Sequence, residues 1–333
     1  MGLEGVAPSP IRPRSGWDCA DNPQVSPRAR FRHRFLAKAL LLSRLRNWTL
    51  RPAMIDRLAA GPPRQPYAGL PPKRVFKSVA VTRSDIDGWP VYEISPKLSE
   101  PAVVDGHVLY LHGGCYVAEF APALYWPFLA KMSVLVRRTI TVPIFPLTPE
   151  YSYRDVYPLL LNVYRRILGS HDPKSIVFMG DSAGGGLTLG LCHAGRDAGL
   201  PQPSDAVLLS PWLHAGLPDP AVAAVAKLDP VLNLEFLHRA ARHFAGGDSL
   251  DHPLLSPAVG SLTGLPKITV LTGTHDMLNP DARAFRRRAQ ADGIEIGWYE
   301  LDEGIHGWMG FSVLGRDADD ACYYIRDVLR RRC

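Results

Sequence analysis

From residue 75 onward the chain alternates between short apolar runs bounded by turn-forming residues and longer stretches with apolar residues at helical spacing. Val75 to Thr82 and Trp89 to Ile94 read as two strands meeting at the turn Asp87-Gly88. His107 to Leu111, Thr139 to Ile144, Ser175 to Met179, Ala206 to Leu209, Ile268 to Leu271 and Glu295 to Tyr299 are further runs of strand type. Between them, Tyr157 to Leu168, Leu187 to Ala198, Asp281 to Ala291 and Asp317 to Arg331 carry helical periodicity. This alternation predicts an α/β fold, a mainly parallel twisted sheet flanked by helices, with any site at the carboxyl ends of the strands.

Two regions break the alternation. Residues 1–26 are rich in Pro, Gly and Arg without periodicity and read as a flexible tail. Arg28 to Leu58 then has apolar residues at helical spacing with basic residues between them, an amphipathic helix or two broken near Pro52. A proline-rich connection, Gly61 to Pro72, follows, so residues 27–72 form an N-terminal helical segment and 73–333 the main domain. Within that domain Pro211 to Leu265 is too long for a plain loop and is helix-rich, especially Asn233 to Phe244. It reads as an insertion, about 211–265, lying over the site. No internal repeat is present.

Composition narrows the class. At 333 residues, 46% hydrophobic and 21% charged, the chain is of ordinary soluble globular type, and no apolar run approaches the ~18 residues of a membrane span. Phe35 to Leu45 is interrupted by Lys38 and Arg44 and lacks a small-residue cleavage site after it, which argues against a signal peptide. The net charge of +6 is uneven: residues 1–90 hold 16 Lys+Arg against 6 Asp+Glu, the rest 22 against 26. With no basic-aromatic platform or nucleic-acid motif, the basic N-terminus reads as a solvated helix face. Peripheral membrane contact through Arg28 to Arg51 is the rival, and a helix that simply covers the site is preferred to it. Five scattered cysteines show neither metal-ligand spacing nor a disulfide framework, pointing to a reducing, cytoplasmic compartment. No nucleic-acid partner is expected, and a homodimer is left open.

The chemistry centres on Ile176-Val177-Phe178-Met179-Gly180-Asp181-Ser182-Ala183-Gly184-Gly185. An apolar run, a glycine-flanked serine and a helical run make a nucleophile elbow, with Ser182 at the apex of a strand–turn–helix. A nucleophilic serine needs a base, an orienting acid and oxyanion donors. His306 follows a strand in Asp302-Glu303-Gly304-Ile305-His306-Gly307 and is the expected base; His112 is the rival, better placed to shape its glycine turn. Asp276 follows the strand Ile268 to Leu271 and is the expected acid. Asp281 looks like a helix N-terminal residue, and Asp302 and Glu303 lie too close to His306 in sequence. Gly113, Gly114 and Ala183 are the expected oxyanion donors, through backbone N–H groups.

With these residues in place the chain resembles the hormone-sensitive-lipase-like branch of the α/β-hydrolase fold, over roughly Arg28 to Arg331. His112-Gly113-Gly114 is similar to that family's HGG(G) oxyanion loop, and Gly180-Asp181-Ser182-Ala183-Gly184-Gly185 to its GDSAGG elbow. Phe145-Pro146-Leu147-Thr148-Pro149-Glu150 is similar to its YRLAPE segment, and Ser210-Pro211-Trp212 and Asp276 with downstream His306 also fit. The resemblance implies ester hydrolysis without metal or organic cofactor, under a helical cap built from the N-terminal helices and the insertion. Three departures stand out. Cys115 replaces the usual third glycine, keeping its N–H but bringing a side chain into the loop; Phe145 stands for a tyrosine; His214 stands near a usual Asp.

The expectation is therefore a serine carboxylesterase acting on a small-molecule ester of short to medium acyl chain, with Cys115 and Tyr116 as substrate-pocket residues. Activity should rise as His306 loses its proton near neutral pH. An amidase or lactonase would use the same triad. A non-catalytic ligand-binding protein on a hydrolase scaffold is the alternative from another class.

Overall fold

The structure is a computed structural model that describes residues 51–98, 106–310 and 315–330. Eight strands form one sheet: β1 (Val79–Ile86), β2 (Trp89–Pro96), β3 (His107–Leu111), β4 (Thr139–Pro143), β5 (Ile176–Asp181), β6 (Asp205–Leu209), β7 (Lys267–His275) and β8 (Gly297–Ile305). Their spatial order is β1-β2-β4-β3-β5-β6-β7-β8. β1 pairs antiparallel with β2, and β2 with β4; every other pairing is parallel. The carboxyl ends of β3, β5, β6, β7 and β8 thus share one edge of the sheet.

The central strands are apolar on both faces, as a sheet sandwiched between helices requires. On β5, Ile176 and Phe178 enter one core and Val177 and Met179 the other. The first core is closed by α3 (Tyr153–Leu168), α4 (Ala183–Asp197) and α7 (Asn279–Ala291), the second by α2 (Pro122–Val136) and α8 (Arg316–Arg330). Helix α3 begins with a capping box, in which Ser152 accepts from Arg154 N–H and the Asp155 carboxylate accepts from Ser152 N–H.

Residues 211–265 contain a short helix α5 (Val222–Val225) and the amphipathic α6 (Leu234–Ala245), which Asn233 caps by accepting from Phe236 N–H. Helix α1 (Pro52–Ala59) packs on α6, burying Ile55 and pairing Asp56 with Arg239 at 2.8 Å. The rest of the expected amphipathic segment, and the expected tail at 1–26, lie outside the described residues. Among the described residues no helix is long and apolar enough to cross a membrane.

Four local readings need correction. Val75–Lys77 is a 3-10 turn, and β1 starts at Val79. β7 runs on to His275 and β8 to Ile305, so Gly273, Thr274, Asp302 and Glu303 belong to strands rather than to loops. Pairing continues because the two backbones touch: a Cβ on Gly273 would lie 2.3 Å from the Gly304 carbonyl oxygen. Helix α2 has no counterpart in the sequence-based elements. It is apolar on nearly every side and contains Pro127, so a 3.6-residue stripe never emerges. Burial between sheet and α8 keeps it helical despite the proline.

Candidate active site

Ser182 sits between β5 and α4 with φ 55° and ψ −123°, a backbone conformation that costs an L-residue on the order of 1–3 kcal/mol. Three backbone bonds over-determine it: Ser182 N–H donates to Leu209 O at 2.8 Å, and its carbonyl accepts from Trp212 N–H at 2.9 Å and Gly186 N–H at 3.2 Å. The flanking glycines let helix and strand cross at van der Waals distance. A Cβ on Gly184 would lie 2.0 Å from Leu111 O, and one on Gly180 2.4 Å from Gly184 O.

The sheet edge brings the expected base and acid to this serine from 124 and 94 residues downstream. His306 Nε2 lies 2.9 Å from Ser182 Oγ, and His306 Nδ1 lies 3.0 Å from Asp276 Oδ2. Asp276 is fully buried, and its other oxygen accepts from Leu278 N–H at 2.9 Å, which fixes the carboxylate plane. Burial opposes a charge on His306, but the carboxylates of Asp276, Asp229 and Asp181 outweigh it and hold the imidazole above its ordinary value. The rival groups lie elsewhere. Burial pushes His112 down to about 4; its Nδ1 is 2.7 Å from Gly113 O and its ring stacks on Phe145 at 4.3 Å. Asp281 lies in the first turn of α7 and accepts from Asp219 N–H. Asp302 Oδ1 accepts from the Thr274 hydroxyl, and Glu303 backbone N–H donates to that same hydroxyl.

The loop after β3 corrects one expected donor. Gly113 N–H is engaged by Asp181 Oδ1 at 2.9 Å and Tyr125 Oη at 2.8 Å, so it cannot point at an oxyanion. Gly114 (φ 125°) and Cys115 (φ 57°) then swing the chain through left-handed backbone, and neither amide has a hydrogen-bond partner among the described residues. Ala183 N–H, at the first turn of α4, has no intrahelical partner by construction. Among the described residues, Gly114, Cys115 and Ala183 offer unengaged amides on the two segments that meet at Ser182.

Asp181 organises this region, a role that sequence reasoning passed over. Beyond Gly113, its carboxylate accepts from Tyr110 Oη at 2.7 Å and Tyr125 Oη at 3.0 Å. Burial raises its pKa, and these bonds offset part of the rise. The position was visible in the motif; Tyr125 was not, because it lies in the unrecognised α2.

A cavity of about 210 Å³ opens on Ser182 and His306. Cys115 and Gly114 line it, with Leu124 and Phe128 from α2, Leu232 from the insertion, and Met309. Tyr116 does not line it. Its ring turns toward the insertion and stacks on Phe244 at 3.9 Å and Trp212 at 5.2 Å. Cys115 and Tyr116 both have left-handed backbone, with φ 57° and 63°. His214 also belongs to the insertion's own packing, with Nδ1 3.2 Å from Ser256 Oγ.

Known proteins share this arrangement of elements. The profile of a family described as alpha/beta hydrolase fold matches residues 108–310. An acetyl-hydrolase of Streptomyces hygroscopicus is 32% identical over 210 residues, covering 62% of this chain and 70% of that protein. An esterase of Acinetobacter venetianus is 28% identical over 226 residues, covering 66% and 72%. The crystal structure of an esterase from the bacterial hormone-sensitive lipase family superposes with a TM-score of 0.75 at 27% identity, covering 92% of this chain and 99% of that one. The chain belongs to the α/β-hydrolase family, in its hormone-sensitive-lipase-like branch.

Proposed function

We propose that this protein is a serine carboxylesterase hydrolysing small carboxylic esters through an acyl-enzyme. The observation that carries the reading is the continuous chain Asp276–His306–Ser182, with contacts of 3.0 and 2.9 Å, opening on a cavity that Gly114 and Cys115 line. Ser182 Oγ attacks the ester carbonyl as His306 Nε2 takes its proton. Asp276 holds the tautomer that has Nδ1–H and stabilises the imidazolium. The N–H groups of Gly114, Cys115 and Ala183 receive the oxyanion; losing one such donor costs on the order of 100-fold in rate. His306 then protonates the leaving alkoxide, and water, activated by the same imidazole, releases the acid.

The cavity supports short to medium acyl chains. About 210 Å³ falls below the roughly 300–1,000 Å³ of sites for drug-sized ligands. Helix α1 packed on α6 joins the N-terminal segment to the insertion, about 211–265, which supports reading the two together as a cap. Cys115, Cys192 and Cys322 are all free and buried, which supports a reducing, cytoplasmic setting.

Fluorophosphonate labelling with mass-spectrometric mapping tests the reading, together with p-nitrophenyl esters of rising chain length and matched amides and lactones. Label on Ser182, a maximum at short to medium chains, and loss of several orders of magnitude of turnover in Ser182→Ala are expected. Near-wild-type turnover in that variant, or no hydrolysis by the wild type, would overturn it.

A further inference from the structure

Asp229 lies in the insertion, fully buried, and takes no part in the proton transfers above. Its carboxylate joins two segments that the reaction needs. Oδ1 accepts from Val231 N–H at 2.7 Å and Leu232 N–H at 3.0 Å, and both of those residues line the cavity. Oδ2 accepts from Met277 N–H at 3.0 Å, the amide next along the chain from Asp276. One side chain therefore ties the cavity wall to the loop that carries the acid.

We propose that Asp229 is a positioning residue of the reaction, locking the insertion to the Asp276 loop and setting a second negative charge behind His306. The inference rests on the esterase reading and deepens it. Three backbone donors on one carboxylate favour the ionised form, against the burial and the neighbouring Asp276 that push its pKa up. His306 faces Ser182 and Asp181 from the elbow, Asp276 from the acid loop and Asp229 from the insertion. Cys115 faces Asp229 from the oxyanion loop as a neutral thiol. Within this set the charge of Asp229 favours the imidazolium, the form that His306 takes while the tetrahedral intermediate is present. A carboxylate used only to shape the insertion would satisfy Val231 and Leu232; the bond to Met277 is what reaches the acid.

The test compares wild type, Asp229→Asn, Asp229→Glu and Asp229→Ser in kcat/KM against pH on a short-chain p-nitrophenyl ester. Thermal unfolding and the rate of fluorophosphonate labelling at Ser182 are followed alongside. Asp229→Asn removes the charge and replaces one acceptor oxygen by an amide donor that must face backbone N–H groups. It is expected to lower kcat by about 10-fold or more and to move the acid limb about half a pH unit or more toward lower pH. Asp229→Ser should move the limb the same way, and Asp229→Glu, which keeps the charge, should leave it near the wild-type position. An unmoved limb in a folded Asp229→Asn, or equal shifts in the Asn and Glu variants, overturns the proposal. Failure of all three variants to fold also overturns it, since Asp229 would then be a folding residue. Absence of labelling and hydrolysis in the wild type would instead count against the esterase reading itself.

Discussion

Gly113 donates its backbone N–H to the Asp181 carboxylate across 2.9 Å, fastening the loop after β3 to the residue that precedes Ser182. Tyr110 and Tyr125 complete the fastening from the strand and helix on either side. The loop after β3 is thus held by the Asp181 carboxylate, and its next two amides, of Gly114 and Cys115, stay unengaged among the described residues.

Asp181→Ala should release that loop. The Tyr110 and Tyr125 hydroxyls lose their acceptor, each costing about 1–3 kcal/mol if left unsatisfied, and Gly113 N–H keeps only Tyr125 Oη. kcat should fall by roughly 100-fold, comparable to losing an oxyanion donor, with a smaller effect on KM. Asp181→Asn, which retains an acceptor oxygen, should be milder. Steady-state kinetics with thermal melts separate the two effects, and wild-type kcat in Asp181→Ala would contradict the role.

The pH dependence follows from His306, whose folded pKa lies above its ordinary value of 6.5. The base must be neutral to accept the serine proton, so kcat/KM should rise as pH passes through that raised value and stay high into the mildly alkaline range. Stability runs the other way. A raised folded pKa contributes stability that is fully present below the unfolded value and is lost as pH rises through the folded one. Thermal unfolding and kcat/KM measured over the same pH series should therefore show this contribution to stability declining where activity appears. Activity peaking below pH 5 would be incompatible.

Gly184→Ala should abolish the native fold around the elbow. The new methyl group would sit 2.0 Å from Leu111 O and 2.6 Å from His112 O, both backbone atoms that cannot give way. Overpacking typically costs about 1–3 kcal/mol, and a clash with two backbone atoms lies at the top of that range or above it. Circular dichroism melts on purified variant read this directly, and a wild-type Tm would show that α4 can shift away from β3.

Iodoacetamide should leave the enzyme active at pH 8. Burial pushes the Cys115 thiol up to about 12, with Asp229 and Asp181 adding to the rise. The thiolate fraction is then on the order of one in ten thousand, and only 4% of the residue is exposed. Rapid inactivation with alkylated Cys115 would mean that the loop opens far more than the structure implies.

Much of this arrangement is legible in the chain. The apolar runs of β3 to β6 and the periodic helices after them are set by local pattern, because a strand buried on both faces must be apolar throughout. The elbow carries its own explanation in Gly180 and Gly184. The order Ser182, Asp276, His306 follows from which runs are strands and where they end. Helix α2 was hidden by the same burial that stabilises it: with no polar face, Pro122–Val136 lacks a period, and Tyr125 goes unseen with it.

The α/β class, the serine at a strained turn, and the histidine and aspartate placed after later strands can all be read along the chain, since each rests on patterns among near neighbours. Tertiary structure alone decided which amides stay free, because that depends on Asp181 capturing Gly113, 68 residues away. It also decided that Cys115 faces the cavity while Tyr116 stacks on Phe244, and that Asp229 reaches Met277 across 48 residues. These are choices among hydrogen-bond partners and rotamers that no periodicity encodes, made only when the sheet edge brings distant loops within about 3 Å of one another.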